Sequence, residues 1–169
     1  MKVQKRRRRE NKTNYLKRLK LLKSGKPRIV FRKTNRYIIA QLVESEEARD
    51  RIIIGLTSKK LIEFGWPNEL KGSLKSIPAS YLTGYLLGRE IKMKKIKEPI
   101  LDFGMIRVIF KSKVYAFSKG LVDAGVQIKS NEELFPEQER IEGKSIKSEN
   151  FKDIFEKIKT NIDKEVKNG

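Results

Sequence analysis

The side chains of this sequence that are best suited to chemistry are basic, and they are concentrated near the N-terminus. Residues 1–36 contain 16 Lys or Arg and a single acid, Glu10, in a chain of 169 residues with a formal net charge of +19. Guanidinium and ammonium groups bind phosphate through charge-assisted hydrogen bonds. An unbalanced cluster of this kind repels itself unless a polyanion neutralises it, and nucleic acid is the usual polyanion. The charge pattern therefore predicts phosphate binding.

Other chemistries are excluded by residues that the sequence lacks. It contains no His and no Cys, so it cannot build a zinc finger, a thiol nucleophile, a disulfide or a His-dependent triad. Asp102-Phe103-Gly104 matches the metal-binding tripeptide of protein kinases, but the catalytic loop of kinases needs a His. We expect a strand end followed by a turn there. The sequence predicts no enzyme, no catalytic residue, no metal ligand and no cofactor.

The basic run Lys5–Arg9 by itself is ambiguous, because it could be a solvated tail, a localisation signal, a membrane patch or a nucleic-acid contact. The basic residues continue through a predicted helix and into a predicted hairpin, which favours nucleic acid. Membrane binding would need an apolar face opposite the basic one, and residues 1–14 have almost none. We therefore expect a soluble, cytoplasmic protein with no membrane partner and no small-molecule substrate.

Hydrophobic spacing predicts the elements that position these groups. A first helix begins near Thr13 and carries Tyr15, Leu16, Leu19 and Leu22 on one face. Two strands, 28–32 and 37–43, form a hairpin, and further strands are expected at 51–56 and 100–103. The third strand contains Ile52-Ile53-Ile54, so we expect it to be covered on both faces. Tyr15 and Tyr37 are candidates for stacking on unpaired bases.

Three later segments have helical spacing. One begins near Ser76, and its small residues Ser80, Gly84 and Gly88 are predicted to allow close approach to the sheet. Another spans 113–125, limited by Gly120 and Gly125. Residues 129–149 are polar and expected to be irregular. The last helix runs from Phe151 to the end, and its apolar stripe consists of Phe151, Ile154, Phe155, Ile158, Ile162 and Val166.

These elements predict an α/β fold with a β-β-β-α-β-α order, which suits a ribonuclease-H-like mixed sheet. We expect a basic extended arm at 1–12, an α/β RNA-binding domain at 13–128, and at 129–169 an irregular segment and amphipathic helix packed on the domain or on a partner. A metal-dependent nuclease of this fold needs several converging carboxylates. The first strand, Arg28–Arg32, has no acid, and Asp102 would stand alone. This favours holding phosphate over cleaving it.

Many collinear motifs resemble one ribosomal family, the universal large-subunit protein that binds 5S rRNA (the uL18 family), in its archaeal form. Its eukaryotic relative is the large-subunit protein L5. The resemblance runs from about residue 5 to 146. The similar segments are Arg6–Tyr15, Arg18–Arg28, Arg32–Arg36, Ala40–Val43, Phe64–Trp66, Pro78–Gly88, Ile100–Gly104 and Lys119–Gly125. The sequence departs from the family at Gly143-Lys144-Ser145-Ile146, where the family usually has a His.

The resemblance implies a ribonuclease-H-like fold without an active site, located in the central protuberance of the large ribosomal subunit. The implied partners are 5S rRNA, 23S rRNA and neighbouring ribosomal proteins of the central protuberance. A non-ribosomal basic RNA-binding module remains the alternative on charge alone. Carried over residue by residue, the implied RNA-facing set is Arg6, Arg7, Arg8, Arg9, Lys12, Arg18, Lys20, Lys26, Arg28, Arg32, Lys33, Asn35, Arg36 and Tyr37.

Overall fold

The structure is a computed structural model, and it describes residues 3–47, 49–144, 146 and 151–168, without the side chains of 166–168. The helices are α1 (Arg6–Arg9), α2 (Tyr15–Lys23), α3 (Ile77–Met93), α4 (Lys113–Asp123), α5 (Gln138–Ile141) and α6 (Phe151–Asn168). The strands are β1 (Arg28–Lys33), β2 (Ile38–Glu46), β3 (Arg49–Thr57) and β4 (Ile100–Asp102). Short 3-10 helices span Ser58–Ile62, Asn68–Ser73 and Glu132–Leu134. The predicted α/β class is confirmed.

The four strands form one mixed sheet in the order β3-β2-β1-β4. The neighbours β1–β2 and β2–β3 are antiparallel, whereas β1 and β4 are parallel. The predicted hairpin is confirmed, with Arg28 opposite Val43 and Lys33 opposite Ile38. Its turn is closed by Thr34, whose backbone N–H and hydroxyl both donate to the carbonyl oxygen of Tyr37 at 2.9 and 2.8 Å.

Alternation along β1 separates a core face of the sheet from a charged one. Ile29 and Phe31 are fully buried, and the Phe31 ring lies 4.9 Å from that of Phe117 on α4. Because successive side chains of a strand point to opposite faces, Arg28 and Arg32 lie on the other face. The sheet therefore buries one face against α3 and α4 and presents arginines on the face where α2 lies.

Helix α3 is the centre of the fold. It begins as predicted, because the Ser76 side chain accepts a hydrogen bond from the backbone N–H of Ala79 and Pro78 occupies the first turn. Helix α6 packs on α3, with Ile158 and Ile162 fully buried. No helix in the described ranges is both long and apolar enough to cross a membrane.

The small-residue stripe of α3 contacts α4, so the prediction that it packs on the sheet was wrong. A Cβ added at Gly84 would lie 2.3 Å from the carbonyl oxygen of Phe117, and one added at Gly120 would lie 2.2 Å from that of Tyr81. The Ser80 hydroxyl donates to the carbonyl oxygen of Lys113 at 2.6 Å. Glycines on both helices let the two backbones touch. Gly120 therefore lies inside α4 and does not limit it, whereas Gly125, with φ +93°, follows its end.

Two further expectations about burial were wrong. Ile52 is 55% exposed, because β3 is an edge strand and its charged face is uncovered at that point. On α2, Leu16 and Leu19 are exposed, and no residue of that helix is fully buried. An ion pair from Arg18 to Asp50 and a hydrogen bond from Lys17 to Gly104 hold α2 in place, where an apolar face was expected to do so.

The segment after residue 129 is more ordered than predicted over its described part. It contains the 3-10 helix Glu132–Leu134 and α5, and Ile141 of α5 is fully buried. The predicted departure from the family at Ser145 and the rest of the irregular segment at 147–149 lie outside the described residues, as does the side chain of Val166.

Replacing Gly120 by Ala tests the backbone contact between α3 and α4. The new Cβ would meet backbone atoms, which cannot move aside like a flexible side chain, so we expect the free energy of unfolding to fall by about 3 kcal/mol. The matched control is Gly72→Ala, where a Cβ meets nothing within 4 Å. Urea denaturation of both variants measures the difference, and equal midpoints would contradict the close packing.

Candidate nucleic-acid interface

A buried arginine organises the charged face of the sheet. Arg28 is 2% exposed, and its guanidinium donates to the carboxylates of Asp102 at 3.1 Å and Asp50 at 2.7 Å. It also donates to the Ser45 hydroxyl at 2.9 Å, and that hydroxyl donates to Asp50 at 2.7 Å. These partners stand on β4, β3 and β2, so one side chain of β1 connects all four strands.

Asp102 in turn holds Arg32. Oδ2 of Asp102 accepts from the guanidinium of Arg32 at 3.3 Å, and Arg32 also donates to the backbone oxygen of Asp102 at 2.7 Å. Oδ1 of Asp102 accepts from the N–H of Gly104 at 2.8 Å, and Gly104 has φ +58°. The tripeptide Asp102-Phe103-Gly104 is a strand end followed by a turn, as predicted. The carboxylate of Asp102 orients two guanidiniums and closes that turn.

Helix α2 is tied to the sheet by charged groups. Arg18 donates to Asp50 at 2.9 Å, and the Nζ of Lys17 donates to the carbonyl oxygen of Gly104 at 3.3 Å. Burial by itself would raise the pKa of Asp50, but hydrogen bonds from Ser45 and Arg18 and the charge of Arg28 hold this pKa below its usual value. Asp50 is therefore ionised at neutral pH and links α2 to β1.

The N-terminal segment, α2 and the end of the sheet enclose a cleft of about 130 Å³. Besides Asp102 and Met105, its lining includes a set of basic side chains from three different elements: Arg7, Lys12, Lys17, Arg18 and Arg32. We call this the basic cleft. Four of its five cations belong to the set that the resemblance implied, and Lys17 is not in that set because the similar segments Arg6–Tyr15 and Arg18–Arg28 leave it out.

The hairpin turn gathers a second group of cations. Asn35, Arg36 and Tyr37 line a depression of about 400 Å³ together with Lys71 and Lys75. The Nζ of Lys75 donates to the carbonyl oxygen of Asn35 at 2.7 Å. The Nζ of Lys59 lies 4.4 Å from the centre of the Tyr37 ring, and that of Lys5 lies 4.8 Å from the Tyr15 ring, so both tyrosines predicted to stack have a cation at one face.

Lys113, the first residue of α4, lies beside Lys33 and Lys75 of the hairpin group and was not predicted. Burial lowers the pKa of Lys113, and the charges of Lys33 and Lys75 lower it further. A sequence signal existed, because the positive end of the helix dipole disfavours a cation at a helix N-terminus. An anion bound beside Lys113 would compensate the repulsion between its charge and those of Lys33 and Lys75.

The remaining predicted residues are dispersed. Arg6, Arg8 and Arg9 are exposed on α1, and Lys20 is exposed on α2. Lys12, which lines the basic cleft, is in addition paired with Glu10 at 2.9 Å. Lys26 lies near the opposite end of β1, where its Nζ is 2.5 Å from the carboxylate of Glu98. The structure does not bring Lys26 to either group of cations.

Arg28 departs from the predicted role. Its guanidinium is buried and engaged by Asp102, Asp50 and Ser45, so it offers no surface to a nucleic acid. The sequence could not distinguish Arg28 from Arg32, because the two arginines are an even number of positions apart and so lie on the same face of β1. Arg28 is a positioning residue for the arginines around it.

The described part of the chain contains no group of three Asp or Glu side chains close enough to hold one metal ion. What the fold and the surface do provide is a set of cations at one end of a mixed sheet, extended by an arginine-rich N-terminal segment. These features define a basic α/β protein of the nucleic-acid-binding class.

The comparisons with known proteins identify the family. Residues 1–99 match the family described as ribosomal large subunit proteins 60S L5 and 50S L18. The chain is 46% identical over 147 residues to the large ribosomal subunit protein uL18 of Korarchaeum cryptofilum (strain OPF8). The aligned region covers 87% of this chain and 73% of that relative. The chain belongs to this ribosomal protein family. RNA binding and a role in translation follow from the family, and membership favours the ribosomal interpretation over a non-ribosomal module.

Proposed function

We propose that this protein is a structural constituent of the large ribosomal subunit, in the cytoplasm, that binds 5S rRNA and attaches it to 23S rRNA in the central protuberance. The observation that carries the proposal is the convergence of the basic cleft, the hairpin turn and Lys113 at one end of the sheet. Folded RNA presents phosphates, 2′-hydroxyls and unpaired bases, and a surface that alternates cations with tyrosines suits all three.

Two parts of this surface have different tasks in the proposal. The arm is thin and exposed, so it can enter between RNA helices and neutralise phosphates there. The hairpin and the basic cleft are held rigidly, so they recognise shape. The RNA-contacting set is Arg6, Arg7, Arg8, Arg9, Lys12, Arg18, Lys20, Lys26, Arg32, Lys33, Asn35, Arg36 and Tyr37, with Lys17, Lys75 and Lys113 added and Arg28 assigned to positioning.

We also propose that the fold has a ribonuclease-H-like topology and that the protein has no enzymatic role. It is supported by three antiparallel strands followed by a helix and a fourth strand parallel to the first. Asp102 is the acid that a nuclease would use, and its oxygens accept hydrogen bonds from Arg28, Arg32 and Gly104. We retain the division into an arm at 1–12, an RNA-binding domain at 13–128 and a C-terminal part at 129–169, which neighbouring proteins of the central protuberance would contact.

Replacing Arg36 by Lys tests shape recognition by the hairpin. The change keeps the charge but removes the planar fork that can grip phosphate bidentately or stack on a base. Arg36 suits the test better than Arg32, because Arg32 also holds Asp102. We expect the preference for 5S rRNA over an unrelated folded RNA of equal length to fall about 10-fold, corresponding to one charge-assisted hydrogen bond. A competition titration at constant salt measures this preference.

The control is Lys71→Arg, which also keeps the charge in the same depression but introduces a planar guanidinium where there was none. If Arg36→Lys and the parent protein discriminate equally, the hairpin is an unspecific charge patch. If the parent protein shows no preference for 5S rRNA at all, the proposed function itself is wrong. The RNA that co-purifies with the protein provides an independent check, since a single species of 5S size is expected.

A further inference from the structure

The loop of residues 104–112, between β4 and α4, carries a group of apolar side chains that the fold does not bury. Phe110 is 69% exposed and Ile109 is 56% exposed, and Val108 and Met105 are exposed as well. Three consecutive exposed apolar residues are unfavourable in water, and such patches mark interaction sites. We call these four residues the apolar loop patch. The set of RNA contacts proposed above does not include it.

The backbone of the loop is anchored, so the patch is held outward by the fold. The N–H of Ile106 donates to the carbonyl oxygen of Phe103 at 3.2 Å, and the N–H of Lys111 donates to that of Leu134 at 3.0 Å. The Nζ of Lys111 also contacts Glu137 at 2.9 Å. With both ends fixed, the side chains between them project from a defined position.

Both ends of the loop lie in the proposed RNA-binding surface. At the first end, the carbonyl oxygen of Gly104 accepts a hydrogen bond from Lys17, and a Cβ added at Gly104 would lie 2.9 Å from the guanidinium carbon of Arg32. Met105 itself lines the basic cleft. At the other end, Lys113 faces Lys33 and Lys75. The loop contains no acid of its own and adds the exposed Arg107, whereas the charge of Lys111 is paired with Glu137. These cations and the exposed apolar side chains favour an occupant that combines flat apolar surface with negative charge.

Unpaired RNA nucleotides have this combination, because each joins a base with two π faces to a phosphate. Phe110 supplies an exposed aromatic face, and the Tyr115 ring lies 6.3 Å from it at an angle of 59°. Bases in a duplex are stacked inside and cannot reach such a ring, whereas splayed bases can. A protein partner would have to place acidic groups around an apolar centre, and nothing in the loop selects that arrangement over RNA.

We propose that the apolar loop patch is a stacking platform for unpaired nucleotides of the bound rRNA, an inference that rests on the proposed function. A base stacks on Phe110, with Tyr115 beside it, and Arg107 neutralises the adjoining phosphate. Stacking tolerates any base, so the platform adds affinity for exposed, single-stranded segments and requires no particular sequence.

The test uses Phe110→Ala and Phe110→Leu in the full chain, with Ile52→Ala as a control that removes an exposed apolar side chain of β3, away from the loop. One probe is 5S rRNA, and the other is a 12-nucleotide single-stranded RNA containing 2-aminopurine. We expect Phe110→Ala to bind both RNAs about 5- to 150-fold more weakly, since stacking contributes about 1–3 kcal/mol per base. Phe110→Leu should lose affinity while keeping its circular dichroism spectrum.

Two further readouts identify stacking. The parent protein should quench 2-aminopurine fluorescence, and Phe110→Leu should quench it less at saturating protein, because leucine has no π face while the tyrosines remain. The log–log salt slope should be unchanged in both variants, since no charge is removed. Unaltered affinity and quenching in a folded Phe110→Ala variant would overturn the platform and assign the patch to a protein neighbour. If the parent protein shows no preference for 5S rRNA, that is a separate result, and it concerns only the proposed function.

Discussion

Deletion of residues 1–13 is expected to leave a folded domain that binds 5S rRNA more weakly and with a shallower salt dependence. The deleted segment contains seven Lys or Arg, and none of the residues of α1 is buried. Each duplex phosphate contact contributes about 0.9 to the log–log salt slope, and each single-strand contact about 0.7. If four to six of these cations engage phosphates, the slope falls by about 3 to 5.

The physical reason is counterion release. Phosphates neutralised by the arm no longer hold condensed cations, so each contact gains less as the bulk salt concentration rises. Arg7 retains one intramolecular bond, from its Nε to the hydroxyl of Thr13 at 3.0 Å, but the guanidiniums of the exposed arginines extend toward solvent. Binding isotherms at a series of potassium chloride concentrations measure the slope directly.

A variant that keeps the length of the chain separates charge from bulk. Replacing the four residues Arg6–Arg9 by Gln should reproduce most of the change in slope. The matched control is Lys157→Gln with Lys164→Gln, two exposed lysines of α6 outside the proposed interface, and its slope should equal that of the parent protein. Equal slopes for the deletion and the parent protein would show that the arm does not touch phosphate.

Asp102→Asn is expected to lower the free energy of unfolding by about 3 kcal/mol. The substitution keeps the shape of the side chain but leaves the buried guanidinium of Arg28 without its charged partner on β4. Breaking a buried ion pair by removing one partner costs about 3–5 kcal/mol, because the remaining charge stays desolvated. We expect a value near the lower limit, since Asp50 still contacts Arg28 at 2.7 Å. Urea denaturation measures the change.

The double variant Arg28→Met with Asp102→Leu provides the decisive comparison. Replacing both ions by apolar groups of similar volume is often neutral for stability, so most of the loss should be recovered. Asp50 tolerates the change because it keeps its contact with Arg18 at 2.9 Å. Glu98→Gln, which breaks the exposed pair with Lys26, should leave the unfolding midpoint unchanged. A double variant less stable than Asp102→Asn would contradict the explanation that the unpaired, desolvated charge of Arg28 causes the loss of stability.

The ion network also predicts a functional consequence. The Asp102 carboxylate accepts a hydrogen bond from Arg32, which lines the basic cleft, so the recovered double variant should be stable yet bind 5S rRNA more weakly than the parent protein. Stability and RNA affinity therefore separate in this variant, since the first depends on desolvation of Arg28 and the second on the position of Arg32.

Local patterns in the sequence were sufficient for the elements themselves. The Thr34–Tyr37 turn and the start of α3 at Ser76 depend on interactions within a few residues, and both were predicted. The excess of charge over residues 1–36 depends on composition alone. Together with the collinear motifs, these features were enough to indicate the α/β class and the ribosomal family.

Only the tertiary structure decided which face each residue uses. The glycines of α3 pack on α4 because Gly120 matches them, and that complementarity joins segments about 36 positions apart. Arg28 and Arg32 have the same strand phase, yet Asp102 and Asp50 bury the first and leave the second at the surface. Lys113 meets Lys33 and Lys75 only after the sheet and helices assemble. Burial and charge pairing are sums over the whole fold, so local spacing cannot fix them.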